Sequence, residues 1–103
     1  MSSTITALTS GGGLAMAGDT SGQLELKTNN GTTAVTIDTS QNVTLAGTIK
    51  TVSYTVATLP AAGTVGRRAL VTNALAPTFL ATVVGGGSVV VPVYDNGTAW
   101  IVG

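Results

Sequence analysis

Apolar and polar residues alternate with a period of two along much of this chain, most regularly between residues 23 and 46. A strand places successive side chains on opposite faces, so this period predicts strands that are apolar on one face only. The apolar positions of three such strands are Leu24, Leu26, Val35, Ile37, Val43 and Leu45. Apolar residues nowhere recur at helical spacing, and the sequence therefore predicts an all-β protein.

Turn residues separate these strands at short intervals. Asn29, Asn30 and Gly31 follow the first strand, and residues 39–42 follow the second. Asn and Gly accept positive φ, and short polar side chains bond to nearby backbone groups, so both stretches favour tight turns. The spacing predicts a β-meander or a β-prism-like segment over residues 21–47.

A second, more apolar region extends over residues 48–103 and contains all four aromatic residues. Its pattern predicts strands near residues 52–56, 67–72, 79–84, 89–94 and 99–102. Asp95-Asn96-Gly97 is typical of a hairpin turn, and Pro92, which lacks an N–H group, predicts an edge strand or a bulge. We expect this region to form a small antiparallel β-sandwich or barrel.

Residues 1–20 differ from the rest in lacking an obvious packed pattern. They are rich in Ser, Thr and Gly, and Gly11-Gly12-Gly13 predicts a flexible joint. We expect this segment to be a flexible anchor that becomes ordered when it extends along a larger partner.

The strands of residues 21–47 have too few apolar residues to form a core alone. A single sheet with so small an apolar face cannot offset an ordering entropy of about 1 kcal/mol or more per residue. An identical chain offers a matching face, so we infer a homo-oligomer in which several copies enclose an apolar axis. The six apolar residues named above form its expected interface, together with Arg67 and Arg68. These arginines would bond to a neighbouring chain or contact a docking partner.

Charged residues make up only 8% of the chain, and four positive side chains balance four negative ones. Nucleic acids attract clustered Lys and Arg, so we do not expect a nucleic-acid partner. The uncharged stretch of residues 69–94 is long enough to cross a bilayer. However, its glycines and prolines would leave backbone groups unpaired in lipid, and we expect no membrane insertion.

The chain has no cysteine and no histidine, which excludes thiolate and imidazole metal sites and the commonest general base. The four acidic residues occupy turns and strands and form no recognisable carboxylate pair. We therefore predict no catalytic residue, metal or cofactor. Tyr94 and Trp100 lie on opposite arms of the predicted hairpin, where they could stack on a sugar or pack in the core.

Two stretches resemble a known group of proteins. Residues 21–32 (SGQLELKTNNGT), continuing to residue 48, look like the short β repeats of tailed-bacteriophage fibre and virion-appendage proteins. Residues 57–69 (ATLPAAGTVGRRA), 85–88 (GGGS) and 91–100 (VPVYDNGTAW) resemble the endings of phage tail-fibre and head-fibre-like proteins. Together these stretches cover most of the chain, and the second is the more specific.

The resemblance implies a non-enzymatic, trimeric structural protein on the virion surface, made in the cytoplasm of a bacterial host. The absence of a His-x-His metal-binding tip distinguishes the chain from long receptor-binding tail fibres. We therefore expect a short head fibre, capsid decoration protein or small spike that attaches to a capsid or tail protein through residues 1–20. The alternative is the receptor-binding tip of a tail fibre that recognises a host-surface glycan.

Overall fold

The period-two pattern forms strands throughout the computed structural model, which describes residues 2–9 and 14–103. These residues fold as two units, Met1–Ile49 and Lys50–Gly103. Strands dominate both units, and the all-β prediction is confirmed. The division falls close to the boundary expected after residue 47. The expected joint at Gly11-Gly12-Gly13 lies outside the described residues.

The first unit is one mixed sheet. Its strands are β1 (Ser3–Ala7), β2 (Leu14–Ala17), β3 (Leu24–Thr28), β4 (Thr32–Ile37) and β5 (Val43–Leu45). They lie in the order β2-β1-β3-β4-β5, with β1 and β3 parallel and the other neighbours antiparallel. The strands expected from the apolar pattern are β3, β4 and β5.

The segment expected to be a flexible anchor instead contributes two strands. β1 pairs with β2 on one side and with β3 on the other, so it lies inside the sheet. Ser3-Thr4-Ile5-Thr6-Ala7 alternates like the later strands, although Ile5 is its single large apolar residue. Backbone pairing on both sides orders this short polar stretch without a strong hydrophobic signal.

A bulge between β3 and β4 preserves the two faces of this sheet. Leu26 lies opposite Val35, and Lys27 lies opposite Thr33, which leaves Ala34 as one extra residue on β4. A bulge of this kind lets the register shift while each side chain stays on its own face. Lys27 and Thr33 therefore lie on the same face, opposite to that of Leu26 and Val35, and Lys27 Nζ donates to Thr33 Oγ1.

The second unit contains a four-stranded sheet and one short helix. The elements are β6 (Ser53–Tyr54), a 3-10 helix (Val56–Thr58), β7 (Arg68–Ala74), β8 (Val89–Asp95) and β9 (Trp100–Val102). The strand order is β6-β7-β8-β9, with β6 parallel to β7. We expected an antiparallel sandwich or barrel, whereas this sheet is mixed.

The strand predicted at residues 79–84 does not form. Thr78 and Ala81 close a β-turn, and Leu80 adopts a φ of 67°, which interrupts the extended backbone. The stretch still bonds to β9, since Leu80 N–H donates to the Val102 carbonyl and Val83 N–H donates to the Trp100 carbonyl. It therefore covers the outer edge of β9 as an irregular segment.

Pro92 lies in an inner strand, where the sequence predicts an edge strand or a bulge. β8 runs between β7 and β9, and the one register shift in its pairing with β7 adds a residue to β7. Pro92 is tolerated because it lies where the pairing with β9 ends. Gly103 N–H donates to the Pro92 carbonyl, and the Gly103 carbonyl accepts a bond of 2.6 Å from Arg68 Nη2. The guanidinium thus supplies a donor that Pro92 lacks.

The core of the second unit lies on one face of its sheet. Val71 and Val93 are fully buried at its centre. The other buried residues of this cluster are Ala69, Ala74, Val83, Trp100 and Val102. Residues of the 3-10 helix and of the loop that follows it pack against the cluster, so this unit encloses its own apolar interior.

Replacement of Val93 with Ala should lower the free energy of unfolding by about 2 kcal/mol, because it opens a cavity in this closely packed cluster. The matched control is Val90→Ala on the same strand, since Val90 is 59% exposed and leaves no cavity. Urea denaturation, monitored by Trp100 fluorescence, measures the free energy of unfolding of both variants. Equal effects of the two substitutions would contradict the assignment of the core.

Candidate functional site

The six apolar residues predicted to form an interface lie together on one face of the first sheet. Directly opposite residues of neighbouring strands point to the same side. The register pairs Leu24 with Ile37 and Ile37 with Val43, which gives one row across three strands. A second row consists of Leu26, Val35 and Leu45. The structure therefore brings together all six residues, which we call the apolar face.

β1 and β2 extend this face with residues that the sequence analysis missed. Ile5 lies beside Leu26, and Met16 lies beside Ile5, so the second row crosses all five strands of the sheet. The alternation in residues 3–7 was the available signal, but a single isoleucine among hydroxyl-bearing residues made it weak. Ile5 and Met16 therefore belong to the apolar face.

No second layer of the described part of this unit packs on the apolar face. Met16 is 78% exposed, and Leu24, Leu26, Val43 and Leu45 are also exposed. An open groove of about 290 Å³ lies at the β1–β2 end of the face, where Ile5, Met16 and Leu24 form part of its wall. Ile5, Val35 and Ile37 are half-buried by their neighbours in the sheet. Uncovered apolar surfaces are a common feature of interaction sites, which makes this face a candidate site.

The opposite face of the same sheet is polar and internally bonded. Lys27 Nζ lies 3.0 Å from a carboxylate oxygen of Glu25 and donates to Thr33 Oγ1 at 2.9 Å. Both side chains are half-buried, and a solvent-accessible ion pair of this type contributes between about 0 and 1 kcal/mol. Its effect is mainly to make this face compatible with water.

In the second unit, the side chain of Asp95 organises the loop of residues 59–66. Its carboxylate is fully buried and accepts hydrogen bonds from the backbone N–H groups of Gly63, Thr64 and Gly97 at 2.8 to 3.2 Å. Arg67 Nη2 donates to the same carboxylate at 2.6 Å. A carboxylate with this number of donors can remain ionised without contact with water.

Burial alone would raise the pKa of Asp95. The hydrogen bonds from the Arg67 guanidinium and from the N–H groups of Gly97, Thr64 and Gly63 outweigh that effect and hold the pKa of this carboxyl well below its usual range. Asp95 therefore stays negatively charged across the physiological pH range. A group so firmly ionised is a poor general acid or base at neutral pH.

Arg67, expected at an interface between chains, has its partners within its own chain. Besides Asp95, its Nη2 donates to the Ala61 carbonyl at 2.8 Å, and its guanidinium lies 5.1 Å from the centroid of the Trp100 ring. The Trp100 ring in turn donates from Nε1 to the Pro60 carbonyl at 2.7 Å. This network holds the loop of residues 59–66 against the sheet.

Tyr94 and Trp100, expected as a possible sugar-binding pair, point to opposite faces of the second sheet. Trp100 lies opposite Asp95 and shares its face of the sheet. Tyr94 is adjacent to Asp95 in the strand, so its side chain lies on the other face. Trp100 is buried in the core, whereas Tyr94 is half-buried near Gly103. Arg68 is exposed and bonds to the Gly103 carbonyl. The expected aromatic platform does not form within one chain.

An open groove of about 320 Å³ lies beside the loop of residues 59–66. Uncharged residues line it: Val56, Leu59, Pro60, Ala61, Ala62, Thr82, Val83, Ala99 and Trp100. We call this the Trp100 groove. It offers shape and apolar contact but no charged group for a polar ligand.

Within residues 2–9 and 14–103, no three acidic side chains gather in a way that could bind a metal ion. No helix in that part of the chain is long and apolar enough to cross a membrane. The chain matches no family model, no curated protein and no solved structure. The function must therefore be argued from the surfaces described above.

Asp95→Asn should lower the melting temperature at neutral pH, because the amide removes the negative charge that Arg67 and three N–H groups stabilise. The folded pKa of Asp95 lies below the unfolded value of about 3.9. Its stabilising contribution is therefore present above that value and is lost as the pH falls towards the folded pKa. The melting temperature, monitored by Trp100 fluorescence, should fall between about pH 5 and pH 2 in the wild type and should fall less in the variant.

The control for this experiment is Asp38→Asn. Asp38 accepts bonds from the N–H groups of Ser40 and Asn42 in an exposed turn of the first unit. The Asp38→Asn substitution should leave unchanged the unfolding transition that Trp100 fluorescence reports. A wild type and an Asp95→Asn variant with the same acid profile would contradict the role assigned to Asp95.

Proposed function

We propose that this protein is a non-enzymatic, homotrimeric structural protein of a tailed-bacteriophage particle, a short head fibre, capsid decoration protein or small spike. The observation that supports it is the uncovered apolar face of the first sheet. The phage particle and the trimeric state are proposed because residues 21–48, 57–69, 85–88 and 91–100 resemble phage fibre and appendage proteins.

The apolar face supports self-association on energetic grounds. A sheet with no second layer on its apolar face forgoes much of the free energy, roughly 25 cal/mol per Å² of apolar area, that holds other sheets together. Copies of the same chain offer an equally apolar, uncharged surface, so their contact desolvates no charge. Three copies around an axis would enclose these faces and leave the Glu25–Lys27 faces in water.

Attachment to a capsid or tail protein is proposed through residues 1–20. This segment includes β2, an edge strand of the sheet, whose outer backbone groups have no strand partner among the described residues. An extended strand of another protein could pair there and add to the sheet. Such pairing would use backbone groups and would leave the apolar face for the trimer.

Two alternatives have less support. A receptor-binding tip that recognises a host-surface glycan would use aromatic platforms, but Tyr94 and Trp100 do not share a face. An enzyme would need a titrating group near neutral pH. The most buried acid, Asp95, is instead committed to structural hydrogen bonds.

Leu45→Glu should convert the trimer into monomers, because it places a charge on the apolar face and burial of that charge is costly. Thr44→Glu is the matched control, since it adds the same charge at the adjacent position, on the polar face of β5. Light scattering should give three times the chain mass for the wild type and the control, and the single chain mass for Leu45→Glu. A monomeric wild type would overturn the proposed trimer.

Ala17→Glu should abolish attachment to phage particles without changing the oligomeric mass, because a charge on edge strand β2 opposes pairing with another strand. Ala17 lies opposite Thr4, on the polar face. The control is Thr44→Glu on the other edge strand, β5. Deletion of residues 1–13 is a poorer test, since it removes β1 from inside the sheet.

Electron microscopy of particles incubated with each gold-labelled variant measures this attachment. The wild type and Thr44→Glu should label the particle surface at defined positions. Equal labelling by Ala17→Glu would show that the anchor lies elsewhere. Absence of labelling by the wild type would contradict the proposed virion function.

A further inference from the structure

A strained turn in the second unit displays two apolar side chains. Ala81 N–H donates to the Thr78 carbonyl at 3.0 Å, and Leu80, the third residue of this turn, has a φ of 67°. A positive φ at the third position is the feature of type II turns that selects glycine. A leucine there is strained, and such strain concentrates where a side chain serves recognition.

The turn is held firmly while its side chains stay in solvent. Leu80 N–H donates to the Val102 carbonyl at 2.8 Å, and Val102 N–H donates to the Ala81 carbonyl at 2.9 Å. Phe79 is 72% exposed and Leu80 is 59% exposed. Little conformational entropy would be lost when such a fixed apolar projection binds. We call Phe79 and Leu80 the tip.

Phe79 and the Trp100 groove lie on opposite faces of the same sheet. A Cβ atom built on Gly103 would lie 3.7 Å from the Phe79 ring and 2.9 Å from the Tyr94 ring, so Phe79 borders Tyr94. Tyr94 and Trp100 point to opposite faces. Phe79 therefore cannot fill the groove of its own chain.

We propose that the tip of one copy docks in the Trp100 groove of the next copy around the trimer. This inference rests on the proposed trimeric function and names a contact within it. A closed ring with three-fold symmetry uses head-to-tail contacts, in which one surface of a chain meets a different surface of its neighbour. Each copy then contributes one tip and one groove, and the ring closes without an unpaired surface.

The chemistry of the two surfaces supports a second copy as the occupant. Neither the residues that line the groove nor residues 78–81 include a charged side chain. Docking would therefore bury apolar groups on both sides and desolvate no charge. A glycan would instead require polar groups along the groove, where Thr82 supplies the single side-chain hydroxyl.

Disulfide trapping in the full chain tests this contact, since the natural sequence has no cysteine. Leu80→Cys combined with Ala61→Cys should give covalent trimers on non-reducing gels after mild oxidation. Each single-cysteine variant should give none. Covalent dimers from Leu80→Cys alone would show that tips meet tips and would overturn the proposal.

Leu80→Gly provides a second, independent test. Glycine fits the positive φ, so this variant should keep the circular dichroism spectrum of the wild type while it loses the docking side chain. The concentration at which the trimer dissociates should rise by about tenfold or more. The matched control is Leu75→Ala, an exposed leucine of the same loop outside the tip, which should dissociate like the wild type.

The outcomes separate this contact from the proposed function. A trimer that persists by light scattering but gives no cross-link in the double-cysteine variant, or that is unaffected by Leu80→Gly, overturns the tip-to-groove contact and leaves the trimer intact. A wild-type chain that is monomeric at every concentration overturns the proposed trimer, and the contact falls with it.

Discussion

The second unit depends on the hydrogen bonds that converge on the Asp95 carboxylate. The loop of residues 59–66 has no regular secondary structure, and its N–H groups need acceptors where it packs against the sheet. Asp95 accepts from two of them, and Arg67 links the same carboxylate to the Ala61 carbonyl. The loop, the position of Trp100 and the groove beside them therefore follow from one buried charge.

The two units solve the problem of apolar burial in different ways. The second unit covers one face of its sheet with a 3-10 helix and a loop, so Val71 and Val93 are buried within a single chain. The first unit consists of one sheet whose apolar side chains are exposed or half-buried, with no second layer over them among the described residues. The residues of the apolar face are all uncharged, so no charged side chain favours its exposure to water. In the proposed trimer, the other copies would cover this face and supply the burial that the first unit lacks.

The sequence was sufficient for the features that depend on alternation. Leu24, Leu26 and their partners on β4 and β5 share a face because a strand has a period of two, and that period is visible in the residues themselves. β1 was missed because its order depends on pairing with β2 and β3, which no local pattern reports. The role of Arg67 was also missed. Its contacts join residues that are distant in sequence, and a basic doublet gives no sign of them.

Residues 79–84 and Pro92 show why backbone detail escapes a sequence pattern. Phe79 to Val84 consists of residues that favour strands, yet the turn at Leu80 places one of them in a conformation that glycine prefers. Neighbouring bonds to β9 outweigh that local preference. Pro92 breaks a rule for inner strands, and the donor from Arg68 that makes it tolerable becomes apparent only once β9 and Gly103 are in place.

The sequence separation of the residues bonded to Asp95 and Trp100 predicts an order of folding. β8 and β9 join through a short turn, so their pairing closes a small loop and incurs little chain entropy. The bonds from Asp95 to Gly63 and from Trp100 to Pro60 join residues 32 and 40 positions apart. Closure of these longer loops costs more entropy. The hydrogen bonds that offset this cost can form only after the hairpin has positioned both side chains. We therefore expect the loop of residues 59–66 to dock after the hairpin has formed, and the groove to be completed late in folding.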